Sequence, residues 1–214
     1  RAYGTAANVY NGYQQIDLSM LTLYNFLCMM YYKTPNIQRV YGGRTGSETT
    51  GWSNAANTGS CDGITGLNGW DTVTNCVKML GIENPFGNIS KWIDGVYFST
   101  EAIYAHRLPQ NYADSTASAV NLGITRPTTS IFIAKLKKGT SDATRSFVYC
   151  ADVTGGSSSK FVGDICYYGA SGVVLCAGGS WGSTSNAGLW CLSGYYTASS
   201  AYSNFGGRLA YRPL

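Results

Sequence analysis

The chain has 214 residues, 44% of them hydrophobic, which suffices for one large domain, or one domain with a small appendage, around a substantial core. Its 15 basic and 11 acidic residues leave a net charge of only +4, too weak and scattered for a nucleic-acid footprint. No nucleic-acid partner is expected.

Residues 1–13 are polar and rich in Gly, Ala and Asn, and read as an N-terminal arm, strand or linker to a domain spanning 14–214. Arg1 is not an initiator Met, so the chain reads as a fragment or a processed product. From Asp17 the run DLSMLTLYNFLCMMYYK predicts a helix, with Asp17 as N-cap, Lys33 complementing the far end of the dipole and Pro35 as the stop. Apolar residues lie all round it, which predicts a helix buried on every side; the uncharged run falls short of the roughly 20 residues a bilayer requires, so no membrane span is expected. Residues 36–62 read as a long loop. In 69–81, Trp70, Val73, Val77 and Leu80 fall at helical spacing with Gly81 as a C′ stop, predicting a second helix. Two helices followed by a strand-rich, glycine-rich remainder predict an α+β domain with the helices packed on irregular antiparallel sheets joined by long loops.

Residues 96–100 and 102–105 read as short strands that lead to His106, the single histidine, which with Arg107 beside it reads as a surface or loop residue. Residues 131–134 and 147–150 flank a polar turn at 139–142 and predict a hairpin, with the basic run Lys135-Leu136-Lys137-Lys138 as a solvated hairpin end. A further turn is expected at 155–160, strands at 165–168 and 173–176, and a closing strand at 208–212. Most of the seven cysteines sit among apolar neighbours, none in a CxxC or zinc-ligand spacing; they read as free thiols of a protein folded in a bacterial cytoplasm, with pairing left open. No metal or cofactor site is expected.

Residues 83–95, ENPFGNISKWIDG, are similar to the ENPxGNxxxWxDG segment of the sulfatase-modifying-factor branch of C-type-lectin folds. Its roles read as structural: Pro85 and Gly87 bend the chain, Asn88 bonds local backbone, and Trp92 offers an apolar plug. The order Glu83-Asn84-Pro85 differs from the Glu-Pro-Asn of calcium-dependent sugar-binding lectins, and their Trp-Asn-Asp triplet is missing, so calcium-dependent sugar binding is not expected.

Residues 178–208 carry the functional signal. Apolar anchors alternate there with Ser, Gly, Tyr and Asn, the composition of a paratope, in which Tyr gives wide amphipathic contact and the small polar residues adapt their hydrogen bonding. From 165 to 207 there is no Asp, Glu, Lys, Arg or His, so this stretch alone supplies neither a general acid or base nor a calcium site. The frame Gly178-Gly179-x-Trp181, Ala187-Gly188-Leu189-Trp190 and Gly206-Gly207-Arg208-Leu209 resembles the variable region of proteins diversified by a diversity-generating retroelement. Known members have a C-type-lectin-like fold, and the best known are phage tail-tip proteins that choose the host receptor.

The resemblance implies a ligand-binding surface at Ser180, Gly182, Ser183, Ser193, Gly194, Tyr195, Tyr196, Ala201, Tyr202, Ser203 and Phe205, on a scaffold of Trp181, Leu189, Trp190, Gly206, Gly207 and Arg208. Trp181 is also placed at the edge of the site. It further implies display on a virion tail tip or a bacterial surface, a protein or glycan receptor as partner, other virion proteins beside it, and a homotrimer in common with relatives. Cys166, Cys176 and Cys191 lie in the part of the chain where the related cysteine-oxidising enzymes keep an active-site pair. None of them adjoins a charged residue that would lower its pKa, so no enzyme is expected.

Overall fold

The computed structural model describes residues 13–46, 54–99, 102–106, 111–139, 148–169 and 173–211. Residues 1–12 of the expected arm, Arg107, the hairpin turn at 140–142 with Phe147, and Arg212 lie outside these.

A short strand β1 (Tyr13–Gln15) leads into α1 (Leu18–Tyr32). Asp17 caps α1 as expected: its carboxylate accepts from Met20 N–H at 2.9 Å, and also from Gln14 Nε2 and Tyr112 Oη, each at 2.9 Å. At the other end Lys33 adopts the left-handed conformation, φ 55°, and terminates the helix. The expectation that α1 is buried on every side is overturned. Leu18, Leu21, Thr22, Asn25 and Cys28 face the core, whereas Leu23, Leu27, Met30 and Tyr31 are exposed on the opposite face. An all-apolar helix reads as buried only if packing layers exist on both sides, and here there is one sheet on one side. No described helix is long and apolar enough to cross a membrane.

Residues 69–81 are the second correction. They form β2 (Gly69–Asp71) and β3 (Cys76–Met79), which with β4 (Ile82–Glu83) make a three-stranded antiparallel meander, so α1 is the single α-helix among the described residues. Asp71 accepts from Val73 N–H at 2.8 Å and from Thr74 Oγ1 at 2.8 Å, closing its own turn and competing with helical bonding. Val73, counted as core at helical spacing, is 81% exposed at that turn. Leu80 and Gly81 both have positive φ between the paired Met79 and Ile82, so the glycine serves a two-residue hairpin turn instead of a helix end. The meander is stapled by a Cys61–Cys76 disulfide, which removes these two from the expected set of free thiols; Cys28, Cys150, Cys166, Cys176 and Cys191 are free and buried.

The main sheet is built on β5 (Ser90–Phe98), which pairs with β6 (Ala102–His106) and β11 (Val173–Ala177) antiparallel and with β13 (Phe205–Gly206) parallel. The order runs β7 (Ala119–Thr125), β6, β5, β11, β12 (Leu192–Tyr196), β10 (Ile165–Tyr168), β8 (Ile131–Lys138), β9 (Tyr149–Thr154). Edge strand β7 returns against β8 and β9, so the sheet is nearly closed. The hairpin expected around the basic run is β8–β9, where Lys135 and Lys137 pair with Asp152 at 3.9 and 3.8 Å. The closing strand β14 (Leu209–Tyr211) pairs with β1. Among the described residues the protein thus combines one α-helix with a strand-dominated, mixed sheet.

His106, expected on the surface, is fully buried at the end of β6, with Nε2 2.9 Å from the Ala113 carbonyl oxygen. Its burial departs from the alternation along β6, in which Ile103 and Ala105 are the inward residues, so neither strand periodicity nor its neighbour Arg107 signals it.

Two stability outcomes follow from these contacts. Asp17→Ala removes the cap and two buried side-chain bonds, and urea unfolding should register a loss of about 2–4 kcal/mol. Reduction of the Cys61–Cys76 disulfide, with its 15-residue separation, should cost about 3 kcal/mol in the same assay.

Candidate binding cleft

The candidate site lies where the chain leaves β11, loops over the sheet and returns as β12 and β13. Consecutive glycines start the loop: Gly178 and Gly179 have φ of 87° and 69°, and a Cβ on Gly179 would stand 2.8 Å from the Ala187 methyl. The Gly178 carbonyl accepts from Gly87 N–H at 2.9 Å and from Gly188 N–H at 3.3 Å. Trp181 N–H donates to the Asn88 carbonyl at 3.0 Å and Thr184 N–H to that of Thr45 at 2.6 Å. Asn88, expected to bond local backbone, instead reaches distant segments: its carbonyl accepts from Trp181 and its side-chain Oδ1 from Ala56 N–H at 2.7 Å. The loop ends in a plug: Leu189 and Trp190 are buried, and Asn25 of α1 donates to the Leu189 carbonyl at 2.7 Å. Phe26 meets the Trp190 ring edge-on at 5.2 Å, and Trp190 Nε1 points at Met29 Sδ, 3.1 Å away.

Above this frame is a cleft of about 410 Å³. Ser180, Gly182, Ser183, Ser193, Tyr195, Tyr196 and Phe205, all assigned to the surface from the sequence, line it. Trp181, assigned mainly to the scaffold, lines it as well and is half-buried, so it belongs to the site. Ser180 is buried at its base; its N–H donates to Ser183 Oγ at 2.9 Å, and Asn204 Nδ2 lies 3.4 Å from its hydroxyl. Tyr202 is not in the lining but stands on the rim, 57% exposed, with its ring 5.6 Å from Tyr196 and 5.5 Å from Phe205. Ala201 and Ser203 are exposed beside it and outside the cleft lining.

Gly194 moves from surface to scaffold: it is buried in β12 against the Phe98 ring, where a side chain would collide. Of the scaffold residues, Gly206 pairs in β13, Gly207 is exposed, and Arg208 donates to the Glu83 carbonyl at 2.5 Å.

Several contributors were not singled out in the sequence. Tyr167, Ser90, Thr184, Asn186 and Asn204 complete the walls, and Asn186 Nδ2 donates to Tyr167 Oη at 2.9 Å. Trp92, read as an apolar plug, is instead half-buried and stacks on Phe205, with ring centroids 5.0 Å apart and planes at 24°. Phe86 is the fully buried plug of that segment. Alternation along β5 could have assigned Trp92 to the face of Phe205 only once the parallel β5–β13 pairing was known.

No lining residue is Asp, Glu, Lys, Arg or His. Cys176 and Cys191 reach the base of the cleft, but burial raises both thiols, Cys176 to about 12, so they stay protonated at neutral pH. What the cleft offers is neutral hydroxyl and amide groups beneath a connected set of rings: Tyr195 on Tyr196 at 5.3 Å, Tyr196 on Phe205 at 4.7 Å, Phe205 on Trp92.

Behind the plug, Asp164 Oδ2 accepts from Trp190 N–H at 2.7 Å while its buried Oδ1 has no hydrogen-bond partner. Burial, opposed by the Trp190 bond, holds its pKa well above the ordinary carboxylate range. The folded state thus keeps a proton that the unfolded chain releases near pH 4, so this residue's contribution to stability declines as pH rises from there until the folded pKa is passed. Asp164→Asn should keep the Trp190 bond and flatten that decline in melting temperatures taken from pH 4 to 8; parallel curves for both proteins would refute the assignment. Comparison with protein-family models, curated proteins and solved structures finds no match to this chain.

Proposed function

We propose that the chain is a ligand-binding protein of the retroelement-diversified class, with a C-type-lectin-like arrangement, that displays the cleft on a phage tail tip or bacterial surface and engages a host or environmental receptor through it. The observation that carries this reading is the partition of residues 178–208. Ser180, Gly182, Ser183, Ser193, Tyr195, Tyr196 and Phe205 face one cleft, and Leu189 and Trp190 lie beneath it in the core. Apart from the Ser183 hydroxyl, which accepts from Ser180 N–H, the loop is held mainly by main-chain bonds and by Asn25, so most side chains of the first group can change without disturbing the second. Aromatic rings with few rotatable bonds give contact area at low entropic cost, and hydroxyls and amides adapt to the partner. A wall without ionisable carboxylates, ammonium groups or imidazole suits an uncharged determinant, since a charged one would lose hydration without gaining a counter-charge. Display in several copies would raise avidity over a cleft of this modest size.

Tyr195, 63% exposed, and Tyr202 contribute little to the core. Tyr195→Ala and Tyr202→Ala should each weaken receptor binding by tenfold or more and leave the melting temperature within about 2 °C of the parent. Sequencing of codons 175–214 across a natural population should find substitutions concentrated at the cleft positions, with Leu189, Trp190 and Gly194 constant and a near-copy template close by. A uniform population without a template would leave a binder of fixed specificity.

A further inference from the structure

A second, smaller cavity, about 30 Å³, lies beside β5 and holds an unusual pair of side chains. Its walls are apolar, from Ile16, Leu21 and Ile93 among others, yet Lys91 and Arg208 both reach it, and no Asp or Glu lines it. Lys91 is only 9% exposed, and the one hydrogen bond of its ammonium is to the Gly87 carbonyl at 3.0 Å. Arg208 is half-buried and donates to another carbonyl, that of Glu83. Neither cation forms an ion pair with a carboxylate among the described residues. Backbone carbonyls orient these groups but do not neutralise them, and two like charges taken out of water beside each other are costly.

We propose that this cavity is a binding site for one small monovalent anion, chloride being the occupant in physiological salt, held between the Lys91 ammonium and the Arg208 guanidinium. The size fits: a cavity of this volume has room for a water or a single small ion. The alternative resolution is loss of the Lys91 proton. Burial first, then the neighbouring Arg208 charge, pushes the ammonium below its ordinary range, with the Cys191 and Cys176 thiols acting the other way. The groups around Arg208 that favour its charge, the Tyr24 phenol and Glu83, do not face Lys91 with a carboxylate in the cavity. An anion there satisfies both cations at once.

The site lies at a mechanically useful place. Lys91 is the residue of β5 that pairs with Ala177 on one side and Gly206 on the other, the last residue before and one of the last residues of the cleft-forming stretch. Arg208 follows two residues after Gly206. An anion bridging the two would tie both ends of that stretch to the sheet.

The test is halide-dependent stability of the intact chain. At constant ionic strength, replacing sodium gluconate by sodium chloride from about 1 to 100 mM should shift the folding equilibrium roughly tenfold for a site of ~10 mM affinity. Lys91→Gln, which keeps a donor for the Gly87 carbonyl and removes the charge, should abolish that dependence. Should this variant not fold, crystals of the parent grown in bromide decide the matter: an anomalous peak between Lys91 Nζ and the Arg208 guanidinium supports the proposal. Identical melting in chloride and gluconate, or a water in place of bromide, would overturn it in favour of a neutral lysine.

Discussion

The Gly178 carbonyl, shared by Gly87 and Gly188 N–H groups, is the bond on which the rest of the site depends. It joins the start of the cleft loop to the 83–95 segment on one side and to the end of the same loop on the other. Because both bonds are made by main chain, the two ends of the loop are fixed independently of the side chains that project from it. Buried backbone groups must be paired somewhere, and here nearly all the pairing is done by other backbone groups or by residues outside the loop, such as Thr45, Asn88 and Asn25.

That arrangement explains the division of labour within a short stretch. Leu189 and Trp190 supply apolar burial and are gripped by Phe26, Met29 and Asn25 from α1. Ser180, Ser183 and Ser193 are small enough to leave the cleft open, and Tyr195 and Tyr196 furnish its rim. The energetic anchor and the chemical surface are thus different residues on the same loop, alternating so closely that composition alone shows both. Polar groups behind the anchor are less well provided for. Asn25 Oδ1 and Asp164 Oδ1 are buried without hydrogen-bond partners, an unfavourable feature accepted where the plug must be fixed in direction as well as in depth.

Electrostatics separates the two sides of β5. Toward the cleft there are hydroxyls, amides, protonated thiols and rings; toward the smaller cavity there are the side chains of Lys91 and Arg208. Lys91, flanked in register by Ala177 and Gly206, lines the smaller cavity and not the cleft, whose lining is neutral. A neutral surface imposes little long-range selectivity and allows contact shape and local hydrogen bonding to decide what binds.

Much of the local structure was legible in the sequence because its causes are local. Asp17 followed by an apolar run specifies a capped helix, and Lys135 to Lys138 opposite an apolar segment specifies a hairpin. The absence of Asp, Glu, Lys, Arg and His from 165 to 207 means that this stretch contributes no such charge to whatever surface it forms. What remained open depended on partners distant in the chain. Residues 69–81 carry helical spacing, and only the Asp71 turn together with pairing to β4 makes them strands. Trp92 becomes part of the aromatic rim through a parallel register with a strand more than a hundred residues away, and Gly194 becomes scaffold only because Phe98 lies over it. Exposure of one face of α1, burial of His106 and the meeting of Lys91 with Arg208 have the same origin. Sequence determines which chemistry a segment can offer and which turns it can close; only the tertiary structure decides which face of each strand meets which neighbour, because strand register is set by contacts between segments and not within them.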